Sequence, residues 1–244
     1  MKTAISIGDS MRMKARVTGA FWLITIAASF FADMGTRSSL VLSGDASATA
    51  RSLLVSAQSY RIGVGADLVA DAAYIVVTLL LYYLLKPISR SLSLLAAFFS
   101  LVGMAIGGVI ELGYIAPLLI LGNAHYLSVF TPAQLQAMAY LSIKVHGQGF
   151  RLSLLFPGFQ CLLLGWLIFR STFLPRTLGV LIAIAGLCLL TESFATILMP
   201  ALESSISSVL FPLDALGEGA LALWLLIIGV NAQKWVARAA RSAI

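Results

Sequence analysis

Five acidic residues stand where acids are costly. Asp67, Asp71, Glu111, Glu192 and Glu218 each lie within a long apolar run. An ionisable group there costs several kcal/mol unless it is paired, wet or functional. Asp67 and Asp71 are four residues apart, so on a helix they share one face. Buried carboxylates can hold a cation, pass a proton, or donate one to an apolar substrate. Of the two histidines, His125 falls in a loop and His146 lies near the acids, in the stretch KVHGQGFRL. Arg61 and Arg151 stand at the mouths of two apolar runs, where each can pair with an acid at the rim. They cannot neutralise all five, so the remainder must be protonated, hydrated or bound to a cation.

The residue inventory weighs these chemistries against one another. Zinc catalysis wants three or more His, Cys or carboxylate ligands, and two histidines do not supply them, so no metal centre is assigned. A His146–carboxylate site would suit a hard cation better. No G-x-S-x-G occurs, and no serine or cysteine has an obvious histidine partner, which argues against a nucleophilic hydrolase. Acid catalysis on a lipid-like substrate fits in type, with small membrane terpene cyclases as an analogy of architecture alone. A proton- or cation-coupled carrier is a further alternative, although no matching polar group falls in the inner half. Binding or sensing of a small ligand, lipid or cation makes the least demand and is the reading adopted, with no cofactor predicted.

Composition decides what must position these groups. Of 244 residues, 60% are hydrophobic and only 11% charged, and the mean hydropathy is +0.98. A soluble domain averages about 45–50% apolar and about 25% charged. The bilayer must therefore be the solvent. Cys161 and Cys188 both sit in apolar runs and read as packing residues rather than a disulfide. The net charge of +6 does not point to nucleic acid, because the cations fall at the ends of apolar runs.

Crossing about 30 Å of hydrocarbon takes about 20 apolar residues. Six segments qualify: about 17–34, 61–85, 92–121, 151–169, 178–198 and 213–230. The backbone must satisfy itself in lipid, so these are helices, and the expected fold is an all-α membrane protein, a six-helix bundle forming a single domain over 1–244. The first segment reads as a span rather than a cleaved signal, since its apolar run is long and no clear A-x-A site follows. With the N-terminus inside, 11 of the 16 Lys and Arg fall on the inner side and 5 on the outer, Arg37 among them. Both termini are therefore expected in the cytoplasm.

At about 1.5 Å per residue, Asp67 lies about 9 Å and Asp71 about 15 Å along its helix from Arg61. Glu111, Glu192 and Glu218 also fall in the outer half, whereas Asp33 and Asp214 lie at span ends, within reach of headgroups and water. The expected site is an outward-facing pocket lined by Asp67, Asp71, Glu111, Glu192, Glu218 and Gln160, with Arg61, His146 and Arg151 at its rim. A histidine there would make it pH-sensitive.

Two outer loops read as short amphipathic helices. GDASATARSLLVSAQSY (44–60) opens with Asp45 or Ser47 as cap and aligns Leu53, Leu54 and Ala57. TPAQLQAMAYLSIKV (131–145) opens with Thr131 and Pro132 and aligns Leu135, Met138, Leu141 and Val145. Gly147 and Gly149 are expected to break that helix before Arg151. A weak repeat is also visible: each loop ends in aromatic-Arg, and Arg61–Lys86 and Arg151–Arg176 are both 25 residues apart. Gly103, Gly107, Gly108, Gly179 and Gly186 read as small residues for close helix packing.

Several strings together resemble a known family. They are ARVTGAFWLI (15–24), GDASATA (44–50), YRIGVGADL (60–68), LLKPISRSLSLLAAFF (84–99), QCLLLGWLIFRSTFLPRTLGVL (160–181), SFATILMP (193–200) and GEGALALWLLIIGV (217–230). The chain resembles, over nearly its whole length, the bacterial membrane family called domain of unknown function 4386. The resemblance implies a polytopic bacterial membrane protein, expected here in the inner membrane, and supplies no reaction, cofactor or site. Arg61, Asp67 and His146-Gly147 match the family pattern. Gln160 stands where an aromatic or histidine is usual, and the acid near Glu192 varies in type; both weigh against a strict metal site. The expected partners are the bilayer and a small amphiphile or cation, with no nucleic acid and oligomerisation left open.

Overall fold

The chain is helical, and no strand occurs among the described residues. The structure, a computed structural model, describes residues 2–122 and 124–241. In chain order the helices are α1 (Lys2–Phe30), a π-helical turn (Phe31–Arg37), α2 (Ala46–Val55), α3 (Ala57–Leu85), α4 (Arg90–Ile110), α5 (Leu112–Ile120), α6 (Pro132–Ser153), α7 (Leu155–Arg170), α8 (Arg176–Leu198), α9 (Glu203–Ile227) and α10 (Ala232–Arg241). Six helical stretches are long and apolar enough to cross a membrane: Gly8–Arg37, Ala57–Leu85, Arg90–Ile120, Pro132–Arg170, Arg176–Leu198 and Ser205–Ile227. They overshoot the apolar runs at most ends, since the helices continue past the hydrocarbon-length segments.

The chain forms two compact units. The first takes Met1–Ile24, Ala73–Met104 and Arg151–Ile244. Its centre is the fully buried set Trp22, Val77, Leu84, Leu167, Ile182 and Leu221. Here α8 packs against α7 on one side and α9 on the other. Glycines set the closest approach. A Cβ on Gly165 would stand 2.7 Å from the carbonyl oxygen of Gly179, and one on Gly186 would stand 2.7 Å from that of Gly158. Gly179 and Gly186 thus pack as the sequence suggests. Gly107 and Gly108 do not, for nothing lies within 4 Å of either added Cβ.

The second unit takes Thr25–Ala72 and Ala105–Phe150. Its apolar centre is Leu53, Tyr60, Val64 and Ile143, with Tyr114 and Leu118 against it. Asp45 caps α2 by accepting from the Ala48 N–H at 2.8 Å. The buried face of α2 is Thr49, Ala50 and Leu53, whereas Leu54 is 57% exposed, contrary to the expected stripe.

The Ala48 N–H, and after it the Ser47 hydroxyl, hold the exposed Asp45 carboxyl below its ordinary value of 3.8. A depressed carboxyl stabilises above its unfolded value and loses that contribution as pH falls through the folded one. The first turn of α2 should therefore lose hydrogen-exchange protection below pH 3.8. An Asp45→Asn variant, whose cap does not titrate, should show no such loss in that pH window. Identical pH profiles for the two proteins would refute the cap's role.

The largest departure from expectation concerns α6. Its start is as read: the Thr131 hydroxyl accepts from the Gln134 N–H at 3.3 Å, and the Gln134 side chain accepts from the Thr131 N–H at 2.8 Å. But α6 runs unbroken through Gly147 and Gly149 to Ser153. The break falls at Leu154 because Pro157 has no N–H for the Ser153 carbonyl. The apolar stripe of this helix is turned away from the protein core. Leu141 and Val145 are about 60% exposed, while Ala139, Ile143 and His146 are buried. In a bilayer an apolar stripe can face lipid, and the polar residue turns inward instead.

Candidate functional site

The second unit gathers a buried polar group from four elements. The π-helical turn supplies Arg37. Its extra residue per turn, marked by the Ser38 N–H donating five residues back to the Asp33 carbonyl at 2.9 Å, sets the register here. Arg37 is only 7% exposed. Its guanidinium donates to the Asp67 carboxylate of α3 and lies over the Tyr114 ring at 4.3 Å. Gly63 makes this possible, because a Cβ there would collide with the Thr36 hydroxyl on the same turn. Asp33, by contrast, is 61% exposed and 3.9 Å from the Arg37 Nε.

Glu111 occupies the tightened turn between α4 and α5, where its carbonyl accepts from the Tyr114 N–H at 2.9 Å. Its Oε1 lies 3.1 Å from Nε2 of His146, which is 5% exposed. The Tyr114 ring stacks on the imidazole with centroids 3.5 Å apart. Gly113 permits this contact, since an added Cβ would stand 2.8 Å from the His146 Cβ. Asp71, one turn beyond Asp67 on α3, interacts electrostatically with both Asp67 and Glu111. Arg37 thus pairs with Asp67 and lies within electrostatic reach of Glu111, while Asp71 adds a third carboxylate to the group. Among the described residues, Arg37 Nε, Glu111 Oε2, His146 Nδ1 and Tyr60 Oη are buried with no hydrogen-bond partner.

Of the remaining predicted residues, Arg61 lies in the second unit and the others in the first. Glu218 accepts from Trp22 Nε1 at 3.4 Å and lies 3.8 Å from Cys161 Sγ. Gln160 is 1% exposed and accepts from the Tyr74 hydroxyl at 3.4 Å. Glu192 accepts from the Ser207 hydroxyl at 2.7 Å, with Arg151 Nε 4.0 Å away. Asp214 is four residues before Glu218 on α9, and its Oδ1 is buried with no hydrogen-bond partner rather than wet. Among the described residues no three His, Cys, Asp or Glu side chains group closely enough to hold a metal ion.

Several placements correct the sequence reading. Asp67 is held by Arg37, not Arg61, which is exposed. His146 is not a rim residue in a turn but is buried in α6 against Glu111. Arg37, Tyr114, Trp22 and Asp214 were missed. Arg37 read as a loop cation, although its i, i+4 spacing from Asp33 was a signal. Trp22 also left one, for a buried indole N–H needs an acceptor.

Comparison with protein families finds one whose sequence profile, described as "Domain of unknown function (DUF4386)", matches residues 17–229. Neither the curated proteins nor the solved structures give a match.

Proposed function

The chain belongs to the DUF4386 family, which brings no reaction with it, and we propose that it is a membrane-embedded binding protein whose ligand is a small cation. The observation that carries this reading is the imbalance in the second unit: Asp67, Asp71 and Glu111 against Arg37, with Glu111 Oε2 buried and unpartnered. Excess carboxylate favours a cation, and acids that do not group closely enough for a metal ion suit an organic ammonium. The close stacking of Arg37, Tyr114 and His146 favours a small ligand over an amphiphile.

The same proposal places the protein in a bacterial cytoplasmic membrane with both termini inside. Arg37 faces the interior and no longer counts as a loop charge. The balance becomes 11 inner cations against Arg51, Arg61, Lys144 and Arg151, which strengthens the bias toward that orientation. The site then opens toward the outer half. A carrier role would use the same residues, with the His146–Glu111 pair passing protons.

A thermal-shift series on detergent-purified protein tests the binding reading. Methylammonium, ethylammonium and ethanolammonium are the probes. At about 100 times its Kd a ligand stabilises by about 2.7 kcal/mol. One probe should raise the melting temperature of the wild type, and that rise should vanish in Glu111→Gln, which keeps the shape and the hydrogen bond to His146. No rise with any probe, or the same rise in the variant, would sink the proposal.

A further inference from the structure

A cavity of about 1000 Å³ lies within the first unit, away from every acid discussed above. Ligand pockets run roughly 300–1,000 Å³. The start of α1, the 172–175 segment, the end of α9 and the start of α10 enclose it. Its position along the spans is informative. Arg12 lies just before the apolar run of α1, and Ile228 just past the end of α9, so the cavity sits where hydrocarbon gives way to headgroups.

Its lining has two characters. Trp224, Ile228 and Val236 are apolar, whereas Arg12 and Lys234 are exposed cations that make no ion pair among the described residues. Asp9 is the acid in the lining. The first residues of α10 line the same space, with the Lys234 N–H donating to the Asn231 side chain at 3.1 Å. Helix N-termini and cations both favour a negative group. Two features keep the walls in place. Gly229 takes φ +75, the left-handed turn between α9 and α10. Trp235 is buried and donates Nε1–H to the Leu84 carbonyl at 2.8 Å, which pins α10, whose last turn adds Arg238 and Arg241.

We propose that this cavity is a site for an anionic phospholipid, its phosphate between Arg12 and Lys234 and its glycerol end and upper chains against Trp224, Ile228 and Val236. The depth favours a lipid over a soluble anion, because the apolar wall continues from the cations toward the hydrocarbon. Basic pockets at the ends of membrane helices hold acidic headgroups in this manner.

Native mass spectrometry of protein released from neutral detergent reads this directly. Mixed with equal phosphatidylglycerol and phosphatidylcholine, the wild type should retain phosphatidylglycerol selectively. Each surface cation is worth about a factor of five, so Arg12→Gln/Lys234→Gln should retain it roughly 30-fold less well. Lys86→Gln/Arg90→Gln, altering basic residues outside the cavity lining, should retain it as the wild type does. Equal retention of the two lipids, or equal loss in both double variants, would overturn the site. Displacement by millimolar inorganic phosphate would identify a free-anion site and overturn the lipid assignment. Tryptophan fluorescence of the unaltered protein is a second readout, since phosphatidylglycerol and not phosphatidylcholine should change the Trp224 signal. Equal responses to the two lipids would count against the proposal.

Discussion

Replacing Arg37 by methionine should destabilise the protein by roughly 3–5 kcal/mol, the cost of leaving a buried carboxylate without its partner. Asp67 is the group left behind, with a side chain 14% exposed. It would face Asp71 and Glu111 with no cation between them. The loss should not be additive. In Arg37→Met/Asp67→Leu the orphaned charge is gone, and apolar replacement of a buried pair is often neutral, so most of the stability should return. Arg37→Lys should fall between, since a lysine cannot reproduce both the planar stacking on Tyr114 and the fork to Asp67. Chemical unfolding in detergent micelles measures all three. A single variant no less stable than the double would show that the pair is not what holds the π-helical turn against α3.

The second large effect is expected at the crossing of α7 and α8. Gly165→Val should cost about 3 kcal/mol, the upper end for overpacking. The reason is the nature of the obstacle. The first added atom would meet the Gly179 carbonyl oxygen at 2.7 Å and the Ala183 backbone nitrogen at 2.9 Å. Backbone cannot rotate away as a side chain can, so the helices must separate. Gly108→Ala is the contrasting case. Nothing lies within 4 Å of its added Cβ, and alanine is favoured over glycine in a helix by about 1 kcal/mol. The same unfolding measurement should therefore show opposite signs at the two glycines. Equal effects would mean that close backbone approach does not set this interface.

Much of the architecture is legible in the residues because the bilayer imposes a simple rule. A run of about 20 apolar residues must be a helix, and six such runs occur. Caps were legible for the same local reason: Asp45 and Thr131 act where their side chains can reach free N–H groups. Helix rotation was not. The stripe of α6 reads equally well against the membrane surface or over the bundle, and it was His146 that the sequence placed wrongly, at the rim. In lipid the two apolar environments compete, and only the polar residue, which cannot face hydrocarbon cheaply, reports the inside. Breaks were misjudged likewise, because Gly147 and Gly149 lose little in a packed helix, whereas Pro157 removes a donor outright.

The candidate site divides along the same line. Asp67, Glu111 and His146 stood out by type, since each is expensive where it lies. Arg37 did not, because a π-helical turn shifts register by a residue that no 3.6-residue pattern encodes. Which acids share a unit was also beyond the sequence. Asp67, Asp71 and Glu111 belong to one unit, and Glu192 and Glu218 to the other.

Calorimetric titration of the detergent-purified protein with the cation that gives the largest thermal shift tests the central claim most directly. One binding event per chain is predicted for the wild type and for Glu192→Gln, and none for Glu111→Gln. Undiminished binding in Glu111→Gln, or no heat of binding in the wild type, would contradict a cation site built on Asp67, Asp71 and Glu111.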